Sequence, residues 1–200
     1  MVSLVKGQSV SLEKRTGETL TKVIMGLGWD VKQKKKGMFG GLFGGGKDEI
    51  DLDASCLLFN AGGDSLDAVW FRQLRSQDGS ITHTGDNRTG AGDGDDEQIV
   101  VDLPSVPRDV QTLVFTVNSF QGDTFDLIEN AYCRLVDAAT GQEIARYDLT
   151  GSGAHTAQVM AKLSRTGGPG SNTGWSMTAI GSITSGRTFH EMMPVITQSL

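Results

Sequence analysis

Residues 83–97, HTGDNRTGAGDGDDE, hold the side chains best suited to chemistry. Asp86, Asn87, Asp93, Asp95, Asp96 and Glu97 offer hard oxygen donors within one short stretch, with Gly85, Gly90, Gly92 and Gly94 between them. Calcium takes about six to eight oxygens from carboxylates, amide side chains and backbone carbonyls. Glycine lets the backbone take positive φ and turn its carbonyls inward, which a chain carrying Cβ atoms resists. The carboxylates repel one another, with only Arg88 among them to compensate, unless a cation offsets their charge or they splay into water. Charge alone is what a solvated acidic face shows; the interleaved glycines tip the reading toward a calcium site. Magnesium wants stricter octahedral geometry, and zinc would call for His and Cys ligands, of which only His83 is near. The spacing is not that of an EF-hand, and the single copy is too little for a calcium-binding β-roll, which needs tandem turns.

Two further acidic places could complete such a site. Asp51 and Asp53, in IDLDAS, are two apart at a strand start, so their side chains share a face. Asp30, in GLGWD, closes a strand where a loop begins. Each is equally well read as a strand-end carboxylate capping a turn. Asn130 either bonds to the acidic loop or ends a turn.

The elements that must position these residues read as strands. Apolar or alternating runs fall at 19–25, 50–59, 68–74, 98–103, 112–120, 131–136, 143–148, 155–163 and 175–183, between Gly, Pro, Asn and Asp punctuation. The clearest hairpin is CRLVDAATGQEIARYDL, turning at Ala139, Thr140 and Gly141. Helix signals are short, at 105–110, at 124–129 and at 189–198, the last interrupted by Pro194. The pattern predicts an all-β antiparallel β-sandwich with short helical turns, in one domain spanning residues 1–200. Trp29, Trp70 and Trp175 sit on apolar segments and are expected in its core.

Composition narrows the function classes. A net charge of -6 argues against general nucleic-acid binding, which needs a basic surface. Cys56 and Cys133 lie in apolar strand-like runs and read as buried thiols in a reducing compartment rather than a disulfide framework. No apolar run reaches membrane-spanning length and the N-terminus lacks a signal pattern, so the expected location is cytoplasmic. Residues 32–48, KQKKKGMFGGLFGGGKD, read as a flexible Lys/Gly-rich insertion. It is either a solvated loop or a segment whose Met38, Phe39, Leu42 and Phe43 enter an anionic membrane or partner surface while the lysines attract it.

An enzyme is poorly supported. GLFGGGK has the glycine and lysine spacing of a phosphate loop, but Asp48 stands where a Ser or Thr would hold magnesium, and a strand rather than a helix follows. His83, His155 and His190 have no nucleophile turn to serve, and His190-Glu191 lacks the second His of a zinc protease; they are expected at the surface or at strand edges.

SLVKGQSVSL, GLGWD, IDLDAS, GDNRTGAGDGDDE and IENAYCRLVD with its hairpin together resemble the TerD family of tellurium-resistance and stress proteins, from residue 3 to about residue 183. The resemblance implies a calcium-binding β-sandwich, generally with two ions, and a role in tellurite resistance and wider stress responses. It also implies a cytoplasmic or inner-membrane-associated location in bacteria. Asp86, Asn87, Asp93, Asp95, Asp96 and Glu97 carry over as ligands, with Asp30, Asp51 and Asp53 in support. The insertion at 32–48 is longer and more basic than the link expected there. The resulting expectation is a non-enzymatic binding or scaffold module with protein partners in a stress-response complex at the cytoplasmic side of the membrane. The alternative is a small-ligand or nucleotide-binding sandwich in which calcium is purely structural.

Overall fold

The computed structural model describes residues 2–13, 19–32, 50–85, 94–149, 153–167 and 174–200. Residues 33–48 of the basic insertion, and Asp86, Asn87 and Asp93 of the acidic stretch, lie outside the described residues. Among those described, the strands form two six-stranded sheets. The first runs in the order β1 (Val2–Ser3), β10 (Glu143–Asp148), β9 (Ile128–Asp137), β3 (Lys22–Val31), β7 (Glu97–Asp102) and β6 (Ile81–His83). The second runs β2 (Ser9–Ser11), β12 (Trp175–Thr184), β11 (Ala157–Arg165), β8 (Thr112–Asn118), β4 (Asp53–Phe59) and β5 (Ser65–Val69).

Alternation decides which side chains meet between the layers. Val23, Met25, Leu27 and Trp29 of β3 join Ile99, Val101, Cys133 and Leu135 of its neighbours in a core shared with Ala54, Cys56, Leu58, Leu113, Phe115, Val117 and Met177 of the second sheet. Two sheets burying one apolar layer between them are a β-sandwich. β4 is buried along its whole length. Its other face, through Leu57 and Phe59, packs with Val114 and Val159 under Phe189, Met192 and Ile196 of α1 (Phe189–Thr197).

Several expectations need correction. The first sheet is not wholly antiparallel, because the two-residue β1 pairs parallel with β10. β1, β2 and β6 are too short to show alternation, which is why the sequence pattern misses them. The run at 68–74 is not one strand: β5 ends at Val69, and Trp70 and Gln73 exchange backbone bonds of 3.0 and 2.9 Å across a tight turn. Helix α1 continues through Pro194, its apolar side seated on the sheet, since packing outweighs one lost backbone bond. Trp29 and Trp175 are core, whereas Trp70 is half-buried outside the inter-sheet layer, its ring 5.2 Å from that of Phe189.

Register carries the acidic residues to one end. Leu27 lies opposite Glu97, Val31 opposite Ile128 and Asp53 opposite Asn118. The C-terminal ends of β3 and β8 therefore meet the N-terminal ends of β4, β7 and β9. A 2.6 Å hydrogen bond from the Ala54 N–H of one sheet to Glu97 Oε2 of the other joins the two sheets there.

Because Met192 and Ile196 are fully buried against the outer face of the second sheet, replacing either with alanine is expected to lower stability by about 2–5 kcal/mol, read from urea denaturation.

Candidate functional site

Asp95, Asp96 and Glu97 are adjacent in sequence but serve three different surroundings. Asp95 lies over the outer face of the first sheet. Its Oδ1 accepts the Arg134 Nε–H at 2.7 Å, and its Oδ2 accepts the Gln98 amide at 3.0 Å. Asp96 sits at the strand end, where its N–H donates to Leu27 O at 2.8 Å and its Oδ2 accepts the Trp29 N–H at 2.9 Å. Glu97 begins β7 on the inward side with Ile99 and Val101, and is 1% exposed.

The Glu97 carboxylate holds the Ala54 N–H and stands 3.3 Å from His83 Nε2. The Gly85 N–H donates to His83 Nδ1 at 3.1 Å. His83 does lie on the edge strand β6, yet it is 2% exposed; His155, 7% exposed, packs on Phe125. His83 is thus at a strand edge as expected, though covered, and buried His155 corrects the expectation of a surface or edge position. Only His190 stays outside, on α1, stacked on Phe189.

Asp51 and Asp53 are buried at 7% and 3% exposure, immediately before and at the start of β4. Parity sets Asp53 with Ser55, Leu57 and Phe59 on the α1 side of its sheet, away from the layer that receives Glu97. Gln121, in the loop after β8, donates to Asp51 Oδ2 at 3.5 Å. Asp30, near the end of β3, accepts the Asn130 amide at 2.8 Å, and Asn130 takes a left-handed φ of 54°. Asn130 thus bonds a strand-end carboxylate.

Among the described residues no three His, Cys, Asp or Glu side chains converge as a group able to hold a metal ion. The donors nevertheless suit a hard cation. Burial pushes the Asp96 carboxyl above its ordinary value, the charges of Asp30 and Asp95 add to this, and the Trp29 N–H opposes it. A divalent ion beside Asp96 would relieve that load, and the oxygen donors at Asp30, Asp51, Asp53 and Asp96 match calcium chemistry better than zinc chemistry.

Sequence reasoning missed the residues that hold the acids in place: Gln98, Tyr132 and Arg134, and the glycines of GLGWD. The signal was available in part, since Tyr132 and Arg134 occupy the outward positions of an alternating strand.

A model of the TerD domain matches residues 1–193. The chain belongs to the TerD family. It is 52% identical over 192 residues to tellurium resistance protein TerZ of Serratia marcescens, covering 96% of this chain and 95% of that one. It is 39% identical over 187 residues to stress response protein SCP2 of Bacillus subtilis (strain 168), covering 90% and 91%. Among solved structures, the crystal structure of a homologue of telluride resistance protein (TerD) from Streptomyces coelicolor A3(2) shares the fold at a TM-score of 0.62 and 20% identity, over 84% of this chain and 92% of that one. These TerD-family relatives are named as tellurium resistance or stress response proteins. No helix among the described residues is long and apolar enough to cross a membrane.

Cys56 and Cys133 of this TerD chain are free and fully buried, and burial raises both thiols, Cys133 to about 12. A thiol at that value carries almost no thiolate near neutrality. Both are expected to resist a maleimide in the native protein and to label only after denaturation, as read by mass spectrometry.

Proposed function

We propose that this chain is a calcium-binding, non-catalytic module of the bacterial stress response. The observation that supports it is the register that brings the strand ends carrying Asp30, Asp51, Asp53, Asp96 and Glu97 to one end of the sandwich, where the acid- and glycine-rich stretch joins β7. Asp51, Asp53 and Asp96 supply the fixed part of the donor set, with Asp30 beside them. Asp86, Asn87 and Asp93, which lie outside the described residues, supply the remainder. The donor total suits up to two ions.

Calcium bound there supplies charge neutralisation and cross-linking rather than chemistry on a substrate. The chain's own residues do the positioning: Trp29 holds Asp96, and Ala54 and His83 hold Glu97 between the sheets. Neutralising the acidic end changes what that end presents to a protein partner. Action as a scaffold at the cytoplasmic side of the membrane completes the reading. It draws on the basic composition of residues 32–48, of which only Lys32 is described.

Calorimetric titration of the chelator-stripped protein tests the proposal. Calcium binds in preference to magnesium, and Asp53→Asn and Asp96→Asn each weaken binding at least about tenfold, the scale of losing a carboxylate ligand from a site tuned by charge count. A dissociation constant around 10⁻⁶ M suits sensing, and one around 10⁻⁹ M makes the ion a permanent part of the fold. No heat of binding in the unaltered protein overturns the proposal.

A further inference from the structure

Gly26 on β3 stands between two long polar side chains, because register pairs it with Gln98 on β7 and with Arg134 on β9. With Val23, Met25, Leu27 and Trp29 turned into the core, Gly26 faces outward. The Asp95 carboxylate occupies that slot: a Cβ on Gly26 would fall on its atoms. Gly28, two residues on, is covered in the same way by Tyr132, and a Cβ there would stand 2.5 Å from the ring. The two glycines of GLGWD are thus seats for an acid and an aromatic ring laid across the β3 backbone.

Donors already surround the seated carboxylate. Arg134 Nε and Gln98 Nε2 take one oxygen each, and the Tyr132 hydroxyl lies 3.2 Å from Oδ1 and 2.8 Å from Gly94 O. The Asp95 side chain is 1% exposed. Arg134 is fixed in turn by Glu143 at 3.2 Å, Glu143 by Arg146 at 2.9 and 3.0 Å, and the Arg146 guanidinium lies 3.9 Å above the Tyr132 ring. The circuit closes on itself. A calcium ion on Asp95 would have to sit beside the Arg134 guanidinium and compete with it for Oδ1, at a large Coulombic cost in a site shielded from water.

We propose that Asp95 is not a calcium ligand but a positioning residue: seated on Gly26 and held by Arg134, Tyr132 and Gln98, it latches the exit of the acidic stretch to the outer face of the first sheet. Its consequence is directional. With Gly94 in a left-handed conformation, φ 105°, and Asp95 pinned outward, the next two acids are aimed at the strand end and at the inter-sheet layer. This inference rests on the calcium reading for its functional meaning, while the latch itself is testable without calcium.

The experiment compares Asp95→Asn, Arg134→Gln, their double variant, and Gly26→Ala, which keeps every polar group but fills the seat. In calcium-free protein each single variant lowers the urea midpoint, and the double variant falls by clearly less than the sum of the singles, because the Asp95–Arg134 pair is lost in both. In calcium titration, Arg134→Gln and Gly26→Ala weaken binding by about 10- to 100-fold, as loss of a group orienting a ligand does, alongside Asp95→Asn. Additive midpoint losses in the calcium-free cycle overturn the latch. So does a pattern in which Asp95→Asn abolishes calcium binding while Arg134→Gln leaves it unchanged or tightens it, since that is the behaviour of a ligand freed from a competitor. If the unaltered protein binds no calcium, the proposed function fails and the calcium-free cycle still decides the latch.

Discussion

A carboxylate placed between two apolar sheets keeps its charge only if fixed donors replace the water it has lost, and Glu97 meets this condition at the point where the sheets join. The Ala54 N–H reaches it from the second sheet, and His83 Nε2 on the neighbouring edge strand stands 3.3 Å from it. Breaking one side of such an arrangement leaves a buried charge short of donors, which costs more than the bond itself is worth. Both sheets must hold their register there for the acid to be satisfied, and the acidic stretch must leave β7 in one direction.

That constraint explains why three neighbouring acids do three jobs. Asp95 belongs to the outer surface and its arginine, Asp96 to the strand end and the backbone of Trp29, and Glu97 to the interior. Strict alternation would put Asp95 and Glu97 on the same face; they differ because Asp95 precedes β7, and what holds each acid in its place is a specific donor on another strand. A run of like charge in sequence is thus distributed in space, which reduces the repulsion that the composition alone suggests.

Much of the sandwich was legible because it rests on alternation. The 143–148 run is β10 to the residue, and the Ala139–Thr140–Gly141 turn falls where β9 meets β10. The strands of two or three residues were not legible, because a period of two needs more length to declare itself, and β1 is held by register to β10 rather than by its own pattern. The acidic end was legible as composition, and register places the strand ends that carry Asp30, Asp53, Asp96 and Glu97 at the same end of the sandwich. Their roles were not. Whether an acid at position 95 faces a cation or an arginine depends on Arg134, which is 39 positions away and reaches it across β3. The glycines of GLGWD carry no sequence sign of their role, which is to lie mid-strand beneath side chains from elsewhere. His155 misled in the same way, since its burial beside Phe125 is set by residues distant in sequence.

On the proposed calcium reading, a cation at this end of the sandwich orders the exit of the acidic stretch against both sheets. Amide hydrogen exchange in matched calcium and chelator buffers tests it most directly, following the N–H groups of Trp29, Ala54 and Asp96, which bond to Asp96, Glu97 and Leu27. The account predicts slower exchange at these amides with calcium and no change in the middle of β11, far along the strand from the acidic end. Equal exchange at Trp29, Ala54 and Asp96 in the two buffers would contradict it.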